Sequence, residues 1–273
     1  MKLALKKQQE IASAAVGKID LAPLAALDRT CRDSVSLLRK PLPVYRAGEK
    51  EFQIPRYLFV GPKGGAEPIR VGLFAGLHGD EPEGTMALSE FALALERNSD
   101  LARNYFLFLY PLLNPAGFEA RSRLTADGVN IAHELWKNSS SPEVQQIQSE
   151  LWMHAFDGIV SLRTDAGASE ILIEVGGPIF ARHLFGNSLA HAQDILPQAV
   201  DSRPETLPRF KGSLFEKPNE LIRAAPGVKP RPFEIVITIP GRAPGLQQRT
   251  AVALLLQRAL ADYRNFIAYG ANI

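Results

Sequence analysis

From about residue 52 onward, short strand-like runs alternate with amphipathic helical stretches, and that alternation limits the fold more than any other feature of the chain. The runs are RYLFVG (56–61), IRVGLFAGL (69–77), YFLFLYPLL (105–113), GIVSLRT (158–164), EILIEVG (170–176) and FEIVITI (233–239). Several are apolar at nearly every position. A strand with one wet face alternates, so continuous apolar character means burial on both faces, as in the middle of a parallel or mixed sheet covered by helices. The pattern predicts an α/β fold, a three-layer sandwich of helix, mixed sheet and helix.

The helices follow from period and caps. Ser141, Pro142 and Glu143 offer an N-cap, a first-turn proline and a favourable dipole charge, and Val144, Ile147 and Leu151 then recur at helical spacing to about Phe156. Glu81 to Glu96 is helical in pattern, with Met86, Leu88, Phe91, Leu93 and Leu95 supplying apolar surface. Val252, Leu255, Leu256, Ala259, Leu260 and Tyr263 form one broad stripe, which predicts a long closing surface helix. Residues 1–50 read as an N-terminal helical extension with a loose connection and 51–273 as the α/β domain, a single domain overall. The proline- and charge-rich stretch 203–232 reads as a surface excursion.

Composition narrows the partners. With 31 basic and 29 acidic residues among 273, a formal net charge of +2 and no charge run, no basic face for phosphate backbones stands out, so nucleic acid is not expected. Cys31 is the only cysteine, which excludes an internal disulfide and a cysteine-based zinc knuckle and suits a reducing compartment. The amino-terminal MKLALKKQQEIASAAVGKID breaks its apolar run too early for a secretory signal, and no stretch approaches the ~20 apolar residues that span a bilayer. A cytoplasmic location without a membrane partner is the expectation.

Two segments carry residues with chemistry. In LFAGLHGDEPEG a buried strand ends near Leu77, and His78, Gly79, Asp80 and Glu81 turn into a helix. Imidazole nitrogen and carboxylate oxygen are standard zinc ligands, and open α/β folds place their sites in loops at the carboxyl ends of strands. The bland alternative is a polar turn in which Asp80 or Glu81 serves the helix dipole. The second segment, LLNPAGFEARSRLTADGVNIAHELW (112–136), is a long loop with Asn-Pro, glycines and two arginines. Long loops at this edge tend to be functional, and the alternative is a solvated connection in which Asn114, Pro115 and Gly117 only make a turn.

Together, HGDEPEG and NPAGF at this separation resemble the zinc carboxypeptidases (M14-like). The resemblance is stronger to the branch of succinylglutamate desuccinylases, aspartoacylases and bacterial peptide-trimming carboxypeptidases. It covers residues 69–134 specifically, extends more loosely to 265, and leaves out the first fifty. It implies a zinc carboxypeptidase-like (phosphorylase/hydrolase-like) fold, zinc as cofactor, and metal-assisted hydrolysis of an amide next to a free carboxylate. It also implies His78 and Glu81 as the first two zinc ligands, and Arg123 as the catalytic arginine that polarises the scissile carbonyl.

The remaining family positions depart from the pattern. Where the family has a third histidine ligand, this chain has Arg163; where it grips the substrate carboxylate with Asn-Arg, the chain has Ala132 and His133; where it has the catalytic glutamate, the chain has Thr238. Two ligands hold zinc poorly. A guanidinium about 4 Å from a dication costs roughly 8 kcal/mol at an effective dielectric of 20. Threonine cannot take a proton from water near neutral pH. The expectation is a member with impaired or lost catalysis, a pseudoenzyme with Arg163 paired to Glu81 in place of the metal.

Three readings stay open. One is an impaired member that binds a peptide-like or acyl-amino-acid ligand through Arg123 and its pocket, with His133 and Arg163 as the substrate-binding positions, or that serves as an interaction surface. Another is a working hydrolase whose metal site recruits Asp165 or His133. The last is a scaffold with a vestigial pocket. Glu174 is a candidate displaced base, Tyr45 and Trp136 are candidate pocket residues, and His154, His183 and His191 lack ligand spacing.

Overall fold

The computed structural model describes residues 22–65, 67–165, 168, 171–176, 222–240 and 245–270. The described strands are β1 (Leu37–Arg39), β2 (Tyr45–Ala47), β3 (Lys50–Phe52), β4 (Tyr57–Val60), β5 (Ile69–Phe74), β6 (Tyr105–Tyr110), β7 (Gly158–Asp165), β8 (Leu172–Gly176) and β9 (Phe233–Pro240). The described helices are α1 (Ala22–Thr30), α2 (Pro82–Arg97), α3 (Pro115–Ala120), α4 (Ile131–Glu134), α5 (Pro142–Met153) and α6 (Gly245–Gly270).

Seven strands make the main sheet, in the order β1-β4-β6-β5-β7-β9-β8. The inner strands β6, β5, β7 and β9 are parallel to their neighbours in that set, and β4, β1 and β8 pair antiparallel at the flanks. The inner strands are the runs with least alternation, as burial on both faces requires: all eight residues of β9 are buried, as are five of the six in β5.

Two apolar layers sandwich the sheet. On one face Leu73, Val160, Leu162, Ile235 and Ile237 meet Leu88 and Phe91 of α2 and Leu255 and Leu256 of α6. On the other Phe74, Tyr110 and Ile159 meet Val144, Ile147 and Leu151 of α5. Each fully buried leucine or phenylalanine adds roughly 1.5–3 kcal/mol relative to an exposed one, which is why these stripes set the helix orientation. Among the described residues no helix is long and apolar enough to cross a membrane.

Within the stretch read as an extension, β1 is hydrogen-bonded to β4 as part of the main sheet, and Leu27 of α1 and Leu37 are fully buried in the core. Residues 1–21 and most of the expected surface excursion, 203–221, lie outside the described residues, as do His183 and His191. The hairpin β2–β3 turns through Gly48, whose φ of 61° is open to glycine without strain.

Candidate functional site

Because β5, β6, β7 and β9 run parallel, their carboxyl ends share one edge of the sheet. His78 and Glu81 follow β5, Asn114 follows β6, and Arg163 and Thr238 lie near the ends of β7 and β9. This is the edge where open α/β sheets hold their sites.

The two motifs are locked together through their glycines. Gly79 donates its N–H to the carbonyl of Ser122 (2.9 Å), and a Cβ on Gly79 would sit 2.0 Å from the carbonyl carbon of Gly117. A Cβ on Gly117 would in turn meet Asn114 Nδ2 at 2.4 Å. The backbones therefore touch where any side chain would part them. Asn114, fully buried, caps α3 by accepting the Gly117 N–H at 2.8 Å, and the Leu113 and Asn114 N–H groups donate to Ala75 and Gly76. The Asn-Pro turn is thus a helix cap wedged against the strand that leads to His78.

Glu81 is the hub. Its Oε1 accepts from His78 Nδ1 at 2.9 Å and from the Arg123 guanidinium at 3.1 Å, and its Oε2 accepts the backbone N–H of Thr164 at 2.9 Å. Burial alone would raise its carboxyl, but the His78 and Thr164 hydrogen bonds and the nearby positive charge outweigh that and hold it below the usual glutamate range. The cation on Glu81 is therefore Arg123. The expected pairing of Glu81 with Arg163 is not formed, because the β7 group that reaches Glu81 is the Thr164 N–H, one residue on.

Strand register decides where the other candidates sit. Arg163 pairs directly with Thr238, and Asp165 with Pro240, on the parallel neighbours β7 and β9. Val160, Leu162, Ile235 and Ile237 face the α2 and α6 layer, so Ser161, Arg163, Asp165 and Thr238 lie on the opposite face by the two-residue period. Arg163 is half-buried, and Thr238 and Ser161 are buried. Glu174 pairs with Val236, which places it on the same face, one strand further out and two positions further from the carboxyl edge than Thr238.

His133 is exposed on α4, whose cap is Asn130: the Asn130 side chain accepts the N–H groups of Ala132 (3.1 Å) and His133 (3.4 Å). Tyr45 is buried and stacks on Phe52, and Trp136 Nε1 donates to the Arg223 carbonyl at 3.2 Å. His154 belongs to a network away from the motifs. Glu150 Oε2 accepts from Arg56 (2.6 Å) and Tyr110 (2.5 Å) and lies 3.2 Å from His154 Nε2, whose ring packs on Phe108.

Zinc, which the motifs imply, does not suit these residues. Among the described residues no three His, Cys, Asp or Glu side chains gather where they could hold an ion. His78 gives Nδ1 to the Glu81 carboxylate, and its Nε2 is buried with no hydrogen-bond partner. Both Glu81 oxygens are already engaged, one of them by a cation. Sequence reasoning missed the Thr164 contact because a backbone N–H leaves no trace in residue type. The Asn130 cap was readable from an Asn placed before an apolar helical start.

Comparison with known proteins bears on the fold and the family. Residues 68–177 match the family model described as the succinylglutamate desuccinylase/aspartoacylase catalytic domain. No curated protein matches the chain in sequence. Among solved structures, a Shewanella baltica OS155 protein provisionally named a metallopeptidase superposes with a TM-score of 0.64 at 21% identity, covering 89% of this chain and 92% of that one. A metallo-carboxypeptidase from Burkholderia cenocepacia superposes at 0.61 and 14% identity, over 89% of this chain and 69% of that one. At such identities the superpositions establish the fold. The chain has the mixed-sheet α/β fold of the metallocarboxypeptidases, and in residues 68–177 it is similar to the succinylglutamate desuccinylase/aspartoacylase branch of that superfamily.

Proposed function

We propose that this chain is a catalytically impaired member of the metallocarboxypeptidase-like group that binds a peptide-like or acyl-amino-acid ligand at the carboxyl edge of its sheet without hydrolysing it through zinc. The observation that carries the reading is the register of Arg163 on Thr238. These are the positions of the third metal ligand and of the general base by resemblance, and they are direct neighbours on one face. A permanent cation beside a hydroxyl that does not titrate near neutral pH can neither complete a divalent site nor take a proton from water.

The same pair suits a different task. A planar guanidinium offers a carboxylate two parallel N–H donors, and a hydroxyl beside it can accept or donate to the adjoining amide. Arg163 is the primary contact in this reading, and His133, exposed on α4, is a second contact for an anionic group.

Thermal melts in chelator, with N-acyl-glutamate, N-acyl-aspartate and dipeptides as ligands, test the reading. A saturable rise in Tm that disappears in Arg163→Ala, with no hydrolysis product by mass spectrometry, is expected. Metal-dependent hydrolysis that fails in Asp165→Ala or His133→Ala would favour a working enzyme with an altered metal site. No ligand response at all would leave only the scaffold.

A further inference from the structure

Helix α5 inverts the usual pattern of a surface helix. A helix packed on a sheet ordinarily buries its apolar residues and turns its charges to water. The two ionisable residues of α5, Glu143 and Glu150, are instead both buried: Glu143 accepts the Ser141 hydroxyl at 3.0 Å, and Glu150 is engaged by Arg56 and Tyr110. Toward solvent stand Gln145, Gln148, Ser149 and Trp152, one stripe at helical spacing, with Met153 beside it. Trp152 is 64% exposed and Met153 60%, so the large apolar side chains at the end of this helix are not part of the core.

The uncharged strip continues past both ends of the helix. Toward the amino end, the Gln146 side chain donates to the Pro43 carbonyl at 3.1 Å, which brings the exposed Val44 to the flank of α5. At the carboxyl end His154 packs on Phe108 and Phe108 on Phe106, whose register partner on β4 is the exposed Val60. Four of the nine exposed large apolar residues among the described residues therefore border α5, a clustering that marks a contact face and not scattered exposure. Charge returns at the rim, with the exposed Arg70 beside Phe106 in register and Asp157, whose carboxylate accepts the Arg70 N–H at 2.7 Å. A charge-free centre with tryptophan and methionine inside a charged rim is the composition of a protein contact surface.

We propose that this face is a two-fold interface with a second copy of the same chain, α5 packing antiparallel on α5. Charge selects the occupant. Across a two-fold axis a surface meets itself, so a face carrying one sign repels its copy, and the outer face of α5 carries neither sign. A charged partner would give up its hydration against amides and an indole that offer no counter-charge. The antiparallel arrangement centres the axis between Gln148 and Ser149 and lays Trp152 of each copy against Gln145 of the other. There the indole N–H, a donor only, meets the amide carbonyl, an acceptor. The 12 residues of α5 are about 18 Å long, and such a face with its flanks falls short of the ~800 Å² per partner of a stable complex. Association is therefore weak and set by concentration.

Sedimentation velocity of the full-length chain over about a hundredfold range of concentration reads that association. Expected are a monomer–dimer equilibrium in the wild type and an association weakened about tenfold or more in Trp152→Lys. Gln145→Glu should also weaken it. Both side chains are exposed, so circular dichroism and Tm at low concentration should match the wild type in each variant. An equal mixture of the two variants should associate more tightly than either alone, because a lysine then faces a glutamate at one end while tryptophan and glutamine still meet at the other. A wild type that stays monomeric would assign the face to a different protein and overturn the proposal. So would a dimer that Trp152→Lys leaves intact, or a mixture no tighter than its components.

Discussion

Arg163 and Thr238 are register partners on the parallel strands β7 and β9, so their Cα atoms lie about 4.8 Å apart and their side chains leave the same face of the sheet. Substituting both tests whether these are the degenerate metal-ligand and base positions. Arg163→His/Thr238→Glu is expected to gain zinc binding, seen as a zinc-dependent rise in Tm, because it supplies a third nitrogen donor and removes a cation. Unchanged zinc affinity in a folded double variant would break the correspondence between these positions and the family pattern.

Glu81 ties three elements together, and its loss should show as stability before it shows as anything else. Glu81→Ala leaves the Thr164 N–H and His78 Nδ1 without their acceptor, and about 1–3 kcal/mol of unfolding free energy should be lost for each buried group left unsatisfied. Urea denaturation at neutral pH measures it. A loss below about 0.5 kcal/mol, the usual scale of surface substitutions, would mean that the hub is dispensable.

Acid should weaken the fold through two carboxylates. Glu81 and Glu150 are both held below the ordinary glutamate value of about 4.3: burial opposes ionisation in each, and hydrogen bonds and nearby positive charge outweigh it. A depressed folded pKa contributes stability that is complete above the unfolded value and is lost as pH falls through the folded one. The urea midpoint is therefore expected to fall below about pH 4.3, with a shallower acid limb in Glu150→Gln, which also lacks some stability at neutral pH. A midpoint as steep in Glu150→Gln as in the wild type would remove Glu150 from the account.

The contact between the motifs predicts a sharp contrast between two glycines. Gly79→Ala forces a methyl to within 2.0 Å of the Gly117 backbone and should cost about 3 kcal/mol or more, since backbone on both sides prevents relief. Gly128→Ala meets nothing within 4 Å but sits at φ 76°, so only the left-handed strain of about 1–2 kcal/mol is expected. Comparable unfolding free energies for the two variants would show that the motifs do not pack as described.

Much of this architecture could be read from residue order. The near-continuous apolar runs marked β5, β6, β7 and β9 because burial on both faces erases alternation, and Pro142 with Glu143 marked the start of α5. Ser141 was expected to cap that helix, but its hydroxyl donates to Glu143 at 3.0 Å instead. Short β1 was absorbed into a supposed extension because its three residues carry too little pattern and depend on pairing with β4. That His78 and Glu81 come together was legible from residue type and spacing. The partner of Glu81 was not, since Arg123 and Arg163 are equally cationic in sequence and only the fold brings one of them to the carboxylate.

The metal content of the purified wild-type chain bears most directly on the central claim. Elemental analysis after expression in zinc-supplemented medium should give far less than one ion per chain, with the same Tm before and after chelation. One zinc per chain, lost in His78→Ala or Glu81→Ala and accompanied by a chelator-dependent drop in Tm, would contradict it.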